Sequence, residues 1–265
     1  MPHTICHTTR YLFETPVSYA LQKVRLKPLP GPLQDVIAWD IEIAGGRIEA
    51  QYCDHYGNHV DLVSADPGTR TLTITATGQV SVQETTGVLG KVYGRAPLWH
   101  FQQHTPLTEP DARISALSKQ VAAAGTVLEG LHALSAAILD AVPYQTGTTD
   151  MQTTAAGAVE LGTGVCQDHA HIFVSAARDA GIPARYVSGY LHMPGQTDQD
   201  ASHAWAEAHL DDLGWVGFDV SNGISPDTNY VRIAIGRDAQ DAAPVSGLRV
   251  GAGNETMIVS VQVQQ

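Results

Sequence analysis

Short runs in which apolar and polar residues alternate fill the first third of the chain, up to about residue 82. Such alternation places successive side chains on opposite faces of a β-strand. Turn-forming dipeptides separate the runs, among them Gly45-Gly46, Gly57-Asn58 and Pro67-Gly68. The runs span residues 8–13, 36–43, 48–54, 59–63 and 71–82. We therefore predict a β-sandwich over residues 1–86.

A helical period replaces the alternation after a linker that we predict at residues 87–106. Apolar residues then recur every three or four positions in two consecutive segments. Thr126 and Glu129 stand at the spacing of a capping box at the start of the second segment, and Pro143 ends it. We predict two helices whose apolar stripes are buried, at the start of a second domain over residues 107–265.

A third helical segment begins near Cys166, directly after the glycines at positions 162 and 164. Its apolar residues repeat at helical spacing until Gly181-Ile182-Pro183 ends it. Unpaired N–H groups and the positive end of the helix dipole favour a thiolate at a helix N-terminus, and the thiolate is the nucleophilic form of cysteine. A buried structural cysteine is the alternative, because most free cysteines pack as small hydrophobic residues.

The next chemical signal is a predicted β-hairpin that carries a histidine and an aspartate. Residues 202–209 alternate strictly and include His203, and a return strand ends at Asp219. With a five-residue loop between the strands, Asp219 lies diagonally opposite His203, at a backbone distance of about 7–8 Å that the two side chains can close. Cys166, His203 and Asp219 then follow the order nucleophile, base and orienting carboxylate of a cysteine acyl-transfer enzyme.

Two further strands are predicted near the end of the chain, at residues 230–235 and 257–263. We expect both to complete the sheet behind the hairpin. The predicted fold class is α+β: an amino-terminal β-sandwich, then helices packed on an antiparallel sheet.

Composition and charge narrow the possible partners. The chain has 265 residues, of which 43% are apolar, enough for a substantial core. Its formal net charge is −12 and it has no basic run, so we expect neither nucleic acid nor a membrane as partner. A basic leader and an apolar run of about 18 residues are lacking, which predicts a cytoplasmic protein. Cys6, Cys53 and Cys166 have no disulfide-scaffold spacing, in agreement with a reducing compartment.

Several histidines and cysteines raise the alternative of a metal site. The groups are Cys53 with His55 and His59, His3 with Cys6 and His7, and Cys166 with His169, His171, His192 and His209. The first two groups lack a second ligand pair at zinc-finger spacing. His169 and His171 are two positions apart on a helix and do not share a face. We predict no metal and no cofactor.

Motifs around the candidate residues carry a family resemblance. They are Gly164-Val165-Cys166 with Asp168, Gly181-Ile182-Pro183-Ala184-Arg185, Gly189-Tyr190, His203-Ala204-Trp205-Ala206-Glu207 and Asp219. In this order they resemble the transglutaminase-like superfamily, and within it a bacterial branch often described as cysteine proteases. The resemblance covers nearly the whole chain and implies a papain-like core behind an amino-terminal β domain. One departure is Ser221-Asn222, where many relatives read Asp-Pro-Thr.

The resemblance implies that Cys166 is the nucleophile, His203 the general base and acid, and Asp219 the residue that orients the imidazole. The expected function is acyl transfer through a thioester, most simply as a peptidase or amidase acting on a peptide or protein amide. Three alternatives stay open: a protein-glutamine γ-glutamyltransferase with an amine acceptor, a non-catalytic binding module, and a metal-dependent hydrolase. Gln152 and Thr154, in a loop predicted at residues 144–164, and Trp205 are candidates for substrate contact.

Overall fold

The computed structural model describes residues 1–91, 95–199 and 201–265, and within these ranges it contains fourteen strands and four α-helices. The strands are β1 (His3–Phe13), β2 (Tyr19–Val24), β3 (Gln34–Ala44), β4 (Gly46–Cys53), β5 (His59–Ala65), β6 (Thr71–Val82), β7 (Val88–Gly90), β8 (Ala184–Leu191), β9 (Asp198–Gln199), β10 (His203–Leu210), β11 (Gly214–Phe218), β12 (Tyr230–Gly236), β13 (Val245–Val250) and β14 (Glu255–Gln264). The helices are α1 (Ala112–Ala123), α2 (Val127–Ala141), α3 (Ala155–Leu161) and α4 (Cys166–Asp179). No helix among the described residues is long and apolar enough to cross a membrane.

Two antiparallel sheets contain all six strands from β1 to β6, together with β9, β13 and β14 from the carboxy-terminal part of the chain. Their strand orders are β3-β6-β1-β14-β9 and β13-β2-β5-β4. Buried apolar side chains from both sheets share one core, with Phe13 and Leu72 from the first and Val24 and Val63 from the second. The predicted alternating runs supply Phe13, Leu72 and Val63, whereas Val24 lies on β2, a strand that the sequence analysis did not predict. The β-rich amino-terminal region is confirmed.

The third sheet has the order β12-β8-β10-β11-β7 and carries the helices on one face. Its alternate alanines, Ala206 and Ala208 on β10, pack in the same core cluster as Phe173 on α4 and Leu134 on α2. These small residues let α4 approach the sheet closely. The α+β class with helices packed on an antiparallel sheet is confirmed.

The carboxy-terminal strands do not all join this third sheet. β12 does, but β14 pairs with β1 from Thr4↔Gln264 to Phe13↔Glu255, and β13, which the sequence did not predict, pairs with β2. The prediction that residues 257–263 complete the sheet behind the hairpin is therefore wrong. Alternation decides which face of a strand is buried and leaves its partner strand open. The domain boundaries at residues 86 and 107 stay a prediction.

The structure confirms one of the predicted helix boundaries and adds helices in two segments that the sequence did not predict as helical. The capping box of Thr126 and Glu129 is present at the start of α2, as predicted. In contrast, the segment predicted as a loop over residues 144–164 contains α3, capped by the hydroxyl of Thr154, which accepts from the N–H of Gly157 at 3.0 Å. The predicted linker contains β7 at the sheet edge and a 3-10 helix, Leu98–Gln102, with Phe101 buried. Residues 92–94 of that linker lie outside the described part of the chain.

Candidate active site

The N-terminus of α4 presents Cys166 as the first residue of the helix, as the sequence predicted. Asp168 stabilises this turn: its Oδ2 accepts from the backbone N–H of Val165 at 2.8 Å and from the hydroxyl of Thr149 at 2.7 Å. Burial raises the pKa of Asp168, although these two hydrogen bonds oppose that effect. Cys166 itself is only partly buried, so its thiol is accessible from the adjoining cleft.

The hairpin of β10 and β11 has the predicted register, with His209 opposite Trp215 and Leu210 opposite Gly214. Asp219 follows β11 directly and forms an isolated bridge with Ile224. In this arrangement the Nε2 of His203 lies 2.7 Å from Oδ2 of Asp219. The predicted diagonal placement of the two side chains on one face is therefore confirmed.

His203 connects the carboxylate to the thiol. It is hydrogen-bonded to both Asp219 and Cys166, and because Nε2 faces Asp219, Nδ1 is the ring nitrogen left for the sulfur. Burial alone lowers the pKa of His203, but the hydrogen bonds to Asp219 and Cys166 raise it to about 10. An imidazolium is thus favoured at neutral pH, beside a sulfur that is nucleophilic as its thiolate.

Asp219 is fully buried and held by two residues that sequence reasoning missed. The hydroxyl of Tyr230 donates to its Oδ2 at 2.6 Å, and Nδ2 of Asn222 donates to the same oxygen at 2.7 Å. Burial alone raises the pKa of Asp219, whereas the hydrogen bonds from His203, Tyr230 and Asn222 lower it overall. The carboxylate is therefore kept ionised at the position from which it orients His203.

Ser221 and Asn222, where the sequence departs from the pattern of the family it resembles, both make hydrogen bonds at the site. Asn222 bonds Asp219, and Oγ of Ser221 lies 2.8 Å from Nδ1 of His169. Nε2 of His169 lies 2.7 Å from the carbonyl of Val142. His169 thus ties α4 to the loop after β11. No pattern in the sequence linked these residues.

The cleft beside Cys166 has a volume of about 350 Å³. Its lining residues are Thr149, Asp150, Met151, Val165, Cys166, Gln167, Tyr186, Ser188, Ala201, Ser202, His203, Ala204, Ala239, Ala242, Ala243 and Pro244. No lysine or arginine is among these described residues. The walls are mostly small and apolar, with the exposed carboxylate of Asp150 at one side.

The predicted substrate contacts are not among the described lining residues of this cleft. Gln152 is exposed beside it, and the hydroxyl of Thr154 caps α3. Trp205 is buried, and its ring stacks on that of His203 with centroids 6.3 Å apart. Trp205 therefore packs against the His203 ring and helps to fix its orientation. The segment 239–244, which follows β12, forms another wall of the cleft through Ala239, Ala242, Ala243 and Pro244.

Two buried side chains, those of His171 and Ser188, hold that wall through hydrogen bonds to its backbone. Nε2 of His171 accepts from the N–H of Ala239 at 3.0 Å, and the hydroxyl of Ser188 donates to the carbonyl of Ala242 at 2.7 Å. Burial lowers the pKa of His171 to about 4, so the neutral, accepting ring persists at neutral pH. Among the described residues, no three His, Cys, Asp or Glu side chains form a group that could hold a metal ion.

A close approach of Trp205 to Gly189 leads to a stability prediction. A Cβ on Gly189 would lie 2.2 Å from the carbonyl oxygen of Val231 and 2.5 Å from the Trp205 ring. We expect Gly189→Ala to lower the free energy of unfolding in urea by about 1–3 kcal/mol, as overpacking does. Gly31→Ala is the matched control, since its Cβ would have no atom within 4 Å. Equal stability of the two variants would contradict the packing argument.

The fold and the contacts from Cys166 through His203 to Asp219 define the class of protein. It is a mixed α+β core in which a cysteine at a helix N-terminus faces a His–Asp pair on a hairpin. Residues 115–220 match the transglutaminase-like superfamily, and residues 3–81 match the bacterial transglutaminase-like N-terminal region. The chain belongs to the transglutaminase-like superfamily.

Several known proteins are similar to this chain in sequence or in structure. An uncharacterized protein of Mycobacterium leprae is 28% identical over 98% of this chain and 97% of its own length. An uncharacterized protein of Mycobacterium tuberculosis is 31% identical over 52% of this chain, which spans 46% of that relative. A crystal structure from Cytophaga hutchinsonii, described as a candidate cysteine protease, has a TM-score of 0.78 and 24% identity, covering 100% of this chain and 91% of its own. That likeness shows the fold.

Proposed function

We propose that this protein is a cysteine-nucleophile enzyme that hydrolyses amide bonds through a thioester on Cys166. The observation that carries the proposal is the contact chain in which His203 bonds both Cys166 and Asp219, the latter at 2.7 Å. A non-catalytic binding module would not need this arrangement of a thiol, a raised imidazole pKa and a buried carboxylate. The candidate cysteine protease from Cytophaga hutchinsonii shares the fold.

In the first half of the reaction the Cys166 sulfur attacks the substrate carbonyl carbon, and a C–S bond forms. The carbonyl oxygen becomes an oxyanion, and the N–H of Cys166, at the free end of α4, is a donor for it. The His203 imidazolium gives a proton to the leaving nitrogen as the C–N bond breaks. Asp219 keeps the ring oriented through Nε2.

In the second half a water molecule attacks the thioester. Neutral His203 takes a proton from this water, the new C–O bond forms, and the C–S bond breaks to regenerate the cysteine. An amine in place of water would give the γ-glutamyltransferase reaction instead. Amine transfer requires an acceptor positioned well enough to outcompete water. The described cleft walls are mostly small and apolar with several polar side chains among them, and this supports water as the acceptor.

The test is a panel of glutamine-containing peptides incubated with and without a primary amine, with products identified by mass. We expect cleavage or deamidation that disappears in Cys166→Ala, persists in Cys53→Ala and is insensitive to a chelator. Cys53 is an exposed free thiol outside the cleft, so it is a matched control. Predominant amine incorporation would assign the transferase function. Absence of any Cys166-dependent product from the panel would count against the enzyme.

A further inference from the structure

A second cavity, of about 280 Å³, lies on the other face of the core sheet. Arg185 on β8 and Glu207 on β10 are cross-strand partners, and they alternate with the alanines that pack under the helices. The cavity therefore lies away from α4, between this sheet face and the amino-terminal region. It shares no described lining residue with the cleft at Cys166.

A proline-rich segment, residues 29–34, forms the roof of this cavity and is pinned to β12. The side chain of Gln34 donates to the carbonyl of Arg232 at 2.8 Å and accepts from its N–H at 2.9 Å. The same amide donates to the carbonyl of Leu29 at 2.7 Å. A preformed cavity at the junction of two structural regions is a common setting for a small-molecule site.

The charge inside the cavity is opposite to that of the protein. The chain has a formal net charge of −12, yet Arg95, Arg185 and Arg232 line the cavity and no aspartate or glutamate is among its described lining residues. Glu207 is fully buried and pairs with the buried Arg185 and the partly buried Arg232. Its Oε2 accepts from Nε of Arg185 at 2.6 Å and from Nη2 of Arg232 at 3.0 Å.

One carboxylate thus serves two guanidinium groups. Nε of Arg232 is buried and has no hydrogen-bond partner among the described residues. Burial lowers the pKa of Arg185 to about 10, with Arg232 adding to that effect against the opposing charge of Glu207. Arg185 thus remains charged at neutral pH, and a buried charge without a full complement of partners is costly. A bound anion beside Arg232 would compensate the positive charge that the single carboxylate of Glu207 leaves unbalanced.

The rest of the lining is apolar. Leu29, Leu33, Leu89 and Ile235 form the walls, together with the ring of Tyr56. Ligand cavities usually measure about 300–1,000 Å³, so this one suits a small ligand. A guanidinium recognises a carboxylate with two parallel hydrogen bonds. A bare phosphate would leave the apolar walls unused.

We propose that this cavity binds a small carboxylate with an apolar body, the carboxylate meeting the guanidinium groups of Arg95 and Arg232 and the body lying against the leucines. Arg95 is exposed, which places it at the open side of the cavity. The proposal does not depend on the activity at Cys166.

The experiment measures binding of hexanoate to the full chain by calorimetry, with hexylamine and inorganic phosphate as comparison probes. We expect saturable binding of one hexanoate per chain with a dissociation constant on the order of 1 mM or tighter. Hexylamine should not bind, and phosphate should bind at least about tenfold more weakly. Equal binding of hexanoate and phosphate would overturn the role of the apolar walls, and no saturable hexanoate binding would overturn the site.

Two variants locate the binding without touching the buried ion pairs. Arg95→Gln removes the charge at the open side, and Gly31→Leu adds bulk where a Cβ meets nothing within 4 Å. Each should weaken hexanoate binding by about tenfold or more. Arg113→Gln, an exposed arginine on α1 outside the cavity, should leave it unchanged. Alkylation of Cys166 at the wild-type rate verifies that each variant is folded. Unchanged hexanoate affinity in both Arg95→Gln and Gly31→Leu would place the ligand elsewhere and overturn the proposal.

Discussion

His203→Ala is expected to lower kcat/KM for amide cleavage by about 10⁴-fold or more, the scale on which loss of a triad member acts in other hydrolases. The same substitution should slow alkylation of Cys166 at pH 6 by about tenfold or more, because the thiolate loses its cationic partner. The pKa of His203 is raised from 6.5 to about 10. The folded protein thus holds this proton between those two pH values, and the imidazolium that stabilises the thiolate is lost only as the pH rises through about 10.

The measurement is the rate of iodoacetamide labelling at Cys166 as a function of pH, with the labelled residue identified by mass. Wild-type protein should label at pH 6, whereas His203→Ala should label at a comparable rate only at higher pH. His132→Ala is the matched control, since His132 is an exposed histidine on α2 that packs beside Phe218. A labelling profile of His203→Ala that matches the wild type would mean that His203 is not the partner of the thiol.

Glu207→Gln is expected to lower the free energy of unfolding by about 3–5 kcal/mol, the usual result of removing one partner from a buried ion network. Glu207 is fully buried, and its Oε2 accepts from both Arg185 and Arg232. Glutamine keeps the shape of the side chain but removes the charge. Arg185, whose guanidinium also lies 3.9 Å above the Trp215 ring, would then be buried without an anion.

Urea denaturation at pH 7 of Glu207→Gln, Glu160→Gln and the wild type provides the measurement. Glu160 is exposed and pairs with Arg113 at 3.1 Å, so its loss should change stability by no more than about 1 kcal/mol. If Glu207→Gln lowers the free energy of unfolding as little as Glu160→Gln does, the buried network contributes no more than a surface ion pair, which would contradict the burial argument.

Most of the candidate site follows from local patterns. The two glycines and the helical period after Cys166 place the cysteine at the start of α4, and the alternation of residues 202–209 with a five-residue turn places His203 and Asp219 on one face. Strand parity and helix period are short-range properties, so the sequence reveals them directly. The residues that support the site were not predictable in this way. Tyr230 bonds Asp219 from the next strand, eleven residues along the chain.

The same limit explains the errors in the fold. The alternation in residues 257–263 correctly predicted a strand but could not identify β1 as its partner, more than 240 residues away. The residues of segment 239–244 that line the cleft are three alanines and Pro244, whose side chains carry no chemical signal of their own. This segment becomes part of the cleft only because His171 and Ser188 hold its backbone there.

By itself, the sequence of this protein determined the class of fold, the helix that carries Cys166 and the hairpin register that aligns His203 with Asp219. Each of these depends on periodicity, turn length or capping within a few tens of residues. Tertiary structure alone decided which strands pair across the chain, what lines the cleft, and that Arg185 and Arg232 share one carboxylate beside a second cavity. The physical reason is that burial and charge balance depend on which distant residues pack together.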